Sequence, residues 1–146
     1  MKRPKNNNSE KEAKGNFMAY PDNPLHELFS KQASVSPTAT AIEFGDLKIS
    51  YQELSKKVNQ TANYFVGQGL SPGQFVAVAM DRNPDLIVSL LAIIQCGAAY
   101  LPLDPKFPAE RLEFMLEDSQ ASFLLTTKTL SESLPKNLKT ILIEDV

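Results

Sequence analysis

The chain has 146 residues, of which 42% are hydrophobic and 22% charged, which is enough for one domain with its own core. Residues 1–14 carry five Lys or Arg against two Glu, whereas residues 15–146 carry ten against fifteen Asp or Glu, so the acidic body argues against nucleic acid as main partner. The apolar runs are far shorter than the about 20 residues that cross a bilayer, and the single cysteine cannot form an internal disulfide. We therefore expect a cytoplasmic protein with no membrane role.

The amino-terminal stretch is polar and has no periodicity. Residues 1–16 are rich in Lys, Asn, Ser and Glu, a composition that predicts a disordered tail and leaves residues 17–146 as the folded unit. Asn23 and Pro24 then give a cap and first-position signal for an amphipathic helix that ends before Pro37.

The only histidine, His26, falls in the first turn of this helix. It has no other His or Cys, and no carboxylate, at ligand spacing, and no nucleophile beside it in sequence. We interpret it as a packed or surface side chain.

Two short apolar runs, residues 40–44 and 47–50, are separated by Gly45 and Asp46, which predicts an antiparallel hairpin. Ser50 and Glu53 then form a Ser-x-x-Glu capping box at the start of a second amphipathic helix. Its inward face repeats at spacings of three and four, through Tyr51, Leu54, Val58, Ala62 and Phe65.

The central part of the chain predicts strands alternating with helices. Residues 75–80 (FVAVAM) form a continuous apolar run, as expected for a parallel strand covered on both faces. The following helix begins at Asn83 and Pro84, ends at Gly97 and is apolar all round, which predicts that other elements surround it.

Further strands are predicted at residues 98–101, 122–126 and 140–144. Pro108 starts a helix between the first two of these, and a weak helix is predicted near residues 130–134. The alternation predicts an α/β fold: an open, mainly parallel sheet with helices on both faces, plus the antiparallel hairpin.

Two motifs carry a family resemblance. Residues 93–119 read IIQCGAAYLPLDPKFPAERLEFMLEDS, and residues 49–54 read ISYQEL. They resemble the Leu-Lys-Ala-Gly-x-Ala-Tyr-x-Pro-Leu-Asp-Pro and Leu-Thr-Tyr-x-Glu-Leu motifs of amino-acid adenylation domains of nonribosomal peptide synthetases, which belong to the AMP-binding, acyl-adenylate-forming superfamily. Gln95 and Cys96 depart from the usual lysine and alanine. The resemblance covers roughly residues 20–146 and implies the N-terminal part of such a domain.

The resemblance implies that a complete domain would use ATP and Mg²⁺ to form an aminoacyl adenylate and would then load a phosphopantetheine-bearing carrier protein. The family's Ser/Thr/Gly-rich phosphate loop, its adenine-, ribose- and Mg²⁺-binding residues and its catalytic lysine all lie beyond the part matched here. We therefore expect a fragment truncated before the phosphate-binding loop, and we assign no catalytic, cofactor-binding or metal-binding residue to it.

The remaining candidate residues favour structural roles. Gly67 and Gly69 follow a helix and are interpreted as its stop, because no third glycine completes a phosphate motif. Asp81 with Asn83 is expected to cap a helix, and Asp104 to bond backbone donors in a turn. The side chains of Arg111, Glu113, Glu117 and Asp118 are expected to form a charged outer helix face, and that of Cys96 to be an inert packed thiol.

Three hypotheses follow. The first is an adenylation-domain fragment that is inactive alone. The second is a non-enzymatic α/β interaction or complementation fragment, which would bind either the remainder of the domain or a carrier protein. The third, a self-contained nucleotide-binding module, lacks a phosphate loop in the sequence. An edge strand left unpaired and apolar faces left uncovered would further predict marginal stability or self-association.

Overall fold

The computed structural model describes residues 25–146, without the side chains of Leu25 and His26. The predicted tail at residues 1–16, the cap signal at Asn23 and Pro24, and the interpretation of the His26 side chain lie outside this description. The described residues form a mixed α/β fold with one two-stranded and one four-stranded sheet. The predicted fold class is confirmed.

Helices and strands follow one another as the sequence predicts. In chain order they are α1 Leu25–Val35, β1 Thr40–Phe44, β2 Leu47–Ser50, α2 Tyr51–Gly67, β3 Phe75–Ala79, α3 Pro84–Gln95, β4 Ala99–Pro102, α4 Ala109–Ser119, β5 Phe123–Thr126, α5 Lys128–Ser131, β6 Lys139–Leu142 and a 3-10 helix Ile143–Asp145. The prediction that the last strand extends to Glu144 is wrong, because the chain turns into the 3-10 helix at Ile143.

The larger sheet has the strand order β4-β3-β5-β6 with every pair parallel, so β3 and β5 are central. Val76 and Val78 pack into a core cluster with α2 and α3. Ala77 and Ala79 pack on the opposite side, with α4. The prediction that this strand is covered on both faces is confirmed.

The hairpin and the helix after it form for the reasons read in the sequence. Gly45 adopts φ +60 in the turn, and Phe44 pairs with Leu47 across it. The Glu53 N–H donates to Ser50 Oγ at 3.1 Å, and the Ser50 N–H donates to Glu53 Oε1 at 3.0 Å. The predicted capping box is confirmed, and it fixes the direction in which α2 leaves the hairpin.

Helix α3 begins as predicted but is not surrounded. The Leu86 N–H donates to Asn83 Oδ1 at 3.0 Å, with Pro84 at the first helical position. Ala92 and Ile93 on the inner side are fully buried, whereas Ile87 on the outer side is 42% exposed. The expectation that other elements cover every face is therefore wrong for the outer side in the part of the chain that the structure describes.

Gly97 ends this helix with a left-handed conformation, φ +78. Its carbonyl accepts a hydrogen bond from the Gly73 N–H at 2.9 Å. A Cβ at position 97 would lie 3.2 Å from Pro72 Cβ, so a side chain would crowd the adjoining loop. The glycine thus allows the loops that lead into β3 and β4 to meet.

Candidate functional site

Ligands of open α/β sheets bind beyond the carboxyl ends of the strands, which in this chain are followed by the loops after β3, β4, β5 and β6. After β3, Asn83 caps α3. After β4, Asp104 accepts a hydrogen bond at Oδ1 from the Lys106 N–H, at 2.9 Å, and at its backbone carbonyl from the Phe107 N–H, at 3.0 Å. Asp104 is therefore the turn residue that the sequence predicts.

The loops after β5 and β6 are held in the same way. The Thr126 hydroxyl, fully buried, donates to the Ala79 carbonyl at 2.6 Å and so joins the ends of β3 and β5. The Lys128 N–H donates to Glu144 Oε1 at 2.9 Å, which joins the chain after β5 to the chain after β6. The sequence analysis did not predict these two contacts. A signal for the first was that Thr126, a polar residue, ends an otherwise apolar strand.

Charged side chains near these loops point to solvent. Asp81 and Arg82 are exposed, and among residues 25–146 the Asp81 carboxylate accepts no hydrogen bond, so the cap belongs to Asn83 alone. The Arg111 guanidinium lies over the Phe107 ring, 4.4 Å from its centroid. The other residues of the predicted charged face are exposed, namely Glu113, Glu117 and Asp118.

The candidate binding space is a groove between the hairpin, α2 and the first turn of α3. It has a volume of about 680 Å³, and its charged lining includes Lys48, Lys57, Glu53 and Asp85. A neighbouring cavity of about 630 Å³ shares Lys57 and Asp85 and extends to Val146. The sequence could not show this groove, because the groove depends on how β2 and α3 approach α2 in space.

Cys96 lies at the end of α3, partly buried against α2. Its Sγ donates to the Ala62 carbonyl at 3.6 Å, and desolvation by burial raises the pKa of the thiol. A raised pKa keeps the sulfur protonated, and the thiolate is the nucleophilic form. The geometry supports packing, not nucleophilic chemistry, at Cys96.

The described part of the chain has neither a cluster of metal-ligand side chains nor a membrane-spanning helix. Between residues 25 and 146, no three His, Cys, Asp or Glu side chains are grouped so that they could hold a metal ion. None of the described helices combines the length and apolarity needed to cross a membrane.

Comparison with known proteins identifies the family of this chain. A family model described as AMP-binding enzyme matches residues 29–145. The chain belongs to the AMP-binding enzyme family. It is 41% identical over 114 residues to a dimodular nonribosomal peptide synthase of Bacillus subtilis (strain 168), and 41% identical over 123 residues to bacitracin synthase 1 of Bacillus licheniformis.

These matches cover 78% and 84% of this chain but only 5% and 2% of the respective relatives, so the chain spans a small part of each synthase. Its resemblance to the N-terminal portion of a synthetase adenylation domain is confirmed.

Solved structures agree on the fold. The N-terminal subdomain of NpsA from Klebsiella oxytoca superposes with a TM-score of 0.80 at 23% identity, over 86% of this chain and 32% of that one. The nonribosomal peptide synthetase FmoA3 gives a TM-score of 0.78 at 29% identity, over 87% of this chain and 14% of that one. The architecture is thus that of the N-terminal subdomain of adenylate-forming enzymes, of which this chain matches a part.

Proposed function

We propose that the chain supplies part of the scaffold of an amino-acid adenylation domain. In the complete domain, an amino-acid carboxylate attacks the α-phosphorus of ATP and releases pyrophosphate. The thiol of a carrier protein's phosphopantetheine then takes the acyl group and releases AMP. The observation that carries the proposal is the 41% identity to a nonribosomal peptide synthase over 114 residues.

We further propose that the 146 residues alone do not catalyse this reaction. The side chains at the carboxyl ends of the strands support this, because they bond to backbone: Asn83 caps a helix, Asp104 folds a turn, and Thr126 and Glu144 join neighbouring loops. ATP and Mg²⁺ would then be held mainly by polypeptide beyond the matched segment. The chain would hold the sheet and its loops in the geometry that such a site requires.

A pyrophosphate exchange assay tests both statements. The isolated chain, offered each amino acid with ATP and Mg²⁺, should give no exchange above a blank. A hybrid in which this chain replaces its 114-residue match in the Bacillus subtilis synthase should exchange pyrophosphate with that synthase's amino acid. Exchange by the isolated chain would contradict its inactivity, and a folded hybrid without exchange would contradict the adenylation role.

A second candidate is a non-enzymatic interaction or complementation fragment. The partly exposed aliphatic outer side of α3 favours it, because such a surface suits a protein partner. Under this proposal the chain binds the remainder of an adenylation domain, or a carrier protein, without turnover. Co-purification of the two polypeptides with no exchange activity would favour this candidate over the first.

A further inference from the structure

The outer face of α4 carries an exposed aromatic ring surrounded by carboxylates. Phe114 is 66% exposed, more than any other aromatic side chain among the described residues. Four exposed acidic residues lie within four positions of it along the helix: Glu110, Glu113, Glu117 and Asp118. Residues three or four apart share one side of a helix, so three of these carboxylates lie on the side of Phe114. We call Phe114 and the four acids the α4 acidic face.

The described part of the chain does not neutralise the charge of this face. The one ion pair found among the described residues lies on the hairpin. Arg111 is the only basic residue of α4, and its guanidinium lies over the Phe107 ring. Glu113 and Glu117, four residues apart, repel each other, and Glu117 and Asp118 lie near the negative C-terminal end of the helix dipole. A cation bound at this face would relieve both unfavourable interactions.

The chain itself contains a basic segment. Residues 1–14 carry five Lys or Arg against two Glu, a net charge of +3, whereas residues 15–146 carry ten against fifteen Asp or Glu, a net charge of -5. Lys and Arg are attracted to the face of an aromatic ring as well as to carboxylates. Such a segment therefore complements both features of the α4 acidic face.

We propose that residues 1–14 bind the α4 acidic face of the same molecule. Helix α1 lies on the α2 side of the large sheet and α4 on the other, so the connection between them must pass around the sheet. Residues 15–24 make this connection and can span at most about 36 Å. A domain of this size has a radius of gyration of about 14 Å, so that span is comparable with the diameter of the molecule.

The same segment of a second copy fits the face less well. A segment joined to the same chain acts at an effective concentration on the order of 1 mM, which far exceeds the concentration of a second copy in dilute solution. The attraction acts between exposed charges and fades over a Debye length of about 8 Å at physiological ionic strength. The contact is therefore reversible and sensitive to salt, and it shields Phe114 from water.

The test places a fluorescent reporter on the face. The chain contains no Trp, so Phe114→Trp in the full 146-residue chain introduces a single tryptophan there. A matched variant keeps the length of the basic segment and replaces its five cations by Gln: Lys2, Arg3, Lys5, Lys11 and Lys14. Phe44→Trp is the control reporter, because Phe44 is 48% exposed on the hairpin, which also carries acidic residues.

We expect neutralisation of the segment to raise the acrylamide quenching constant of the Phe114→Trp reporter about twofold in about 20 mM salt, with no difference left in about 0.5 M salt. The Phe44→Trp reporter should be quenched equally with either segment. Glu113→Gln combined with Glu117→Gln should abolish the response of the Phe114→Trp reporter, whereas Glu43→Gln should not. Circular dichroism should show the same folded chain in every variant.

Equal quenching of the Phe114→Trp reporter with the native and the neutralised segment in low salt would overturn the inference, as would an equal response of the two reporters. A response that grows with protein concentration would overturn it too, since the segment would then bind a second copy. Quenching that ignores the segment but falls when poly-lysine is added would assign the face to a basic segment of another polypeptide instead. None of these measurements depends on pyrophosphate exchange, so the function proposed above is tested separately.

Discussion

The two long crossover helices of the parallel sheet, α3 and α4, both pack on the sheet but differ in their outer surfaces. Helix α3 connects the neighbouring strands β3 and β4, whereas α4 crosses β3 to connect β4 with β5. Both helices bury an inner face, at Ile93 in α3 and at Leu112 in α4. On the outside, α4 carries exposed charges around Phe114, whereas α3 carries a stripe of aliphatic side chains, Ile87, Leu90, Leu91 and Ile94. The outer side of α4 thus resembles an ordinary water-facing surface apart from Phe114, and the outer side of α3 resembles the interior of a larger fold.

The largest expected effect is a difference in the free energy of unfolding between substitutions on the two sides of α3. Ile93→Ala should lower the free energy of unfolding by roughly 2 to 5 kcal/mol, because it opens a cavity at a side chain with no exposure. Ile87→Ala removes a side chain that is 42% exposed and should cost about 1 kcal/mol or less. Urea unfolding of the isolated chain measures both.

Leu112→Ala provides the comparison on α4, where the buried side chain is 1% exposed and the expected loss is again roughly 2 to 5 kcal/mol. If Ile87→Ala destabilised the isolated chain as much as Ile93→Ala, the stripe would already be covered and the contrast between the helices would fail.

The next prediction concerns how the two helices end. Gly97 after α3 and Gln120 after α4 both have positive φ, of +78 and +57. Gly97→Ala should destabilise by about 2 kcal/mol, since it adds left-handed strain and brings a Cβ to 3.2 Å from Pro72 Cβ. Gln120→Gly should have the opposite sign and stabilise by roughly 0.5 kcal/mol, because relief of the strain slightly exceeds the entropy lost with glycine.

Thermal unfolding of both variants checks the signs. Gly67→Ala is the control for Gly97→Ala, because a Cβ at Gly67 meets nothing within 4 Å and that residue lies in the last turn of α2. A loss at Gly67 equal to that at Gly97 would show that the tight contact with Pro72 is not the cause.

The contrast between α3 and α4 also shows where sequence reasoning succeeds. Local chemistry identifies the Ser50 and Glu53 capping box, the Asn83 cap and the Gly97 stop, because each depends on residues a few positions apart. The groove near Lys57, by contrast, depends on how β2 and α3 approach α2 in space. The sequence pattern of an apolar stripe is likewise the same whether or not another element packs on it.

A smaller loss of stability is expected when the N-terminal cap of α3 is removed. Asn83→Ala removes the oxygen that accepts from the Leu86 N–H at 3.0 Å and should cost about 1 kcal/mol. Asn83→Asp keeps an acceptor and adds a favourable charge at the helix N-terminus, so its stability should stay close to that of the wild type. Helix α4 begins after Pro108 without a side-chain cap. If chemical denaturation gave equal stabilities for Asn83→Ala and Asn83→Asp, the side-chain cap would not stabilise α3. Capping would then not distinguish α3 from α4.

The smallest effect concerns the sulfur at the end of α3, for which α4 has no counterpart. Desolvation raises the pKa of the Cys96 thiol in the folded chain, so the unfolded chain ionises first as the pH rises. The contribution of Cys96 to stability should be complete below the pKa of the thiol in the unfolded chain and should decline as the pH rises from there through the folded pKa. Ultraviolet absorbance of the thiolate should appear at higher pH in the native chain than in urea. Cys96→Ala should remove this part of the pH dependence, and a thiolate that formed first in the native chain would show that the packing of α3 on α2 does not desolvate the sulfur.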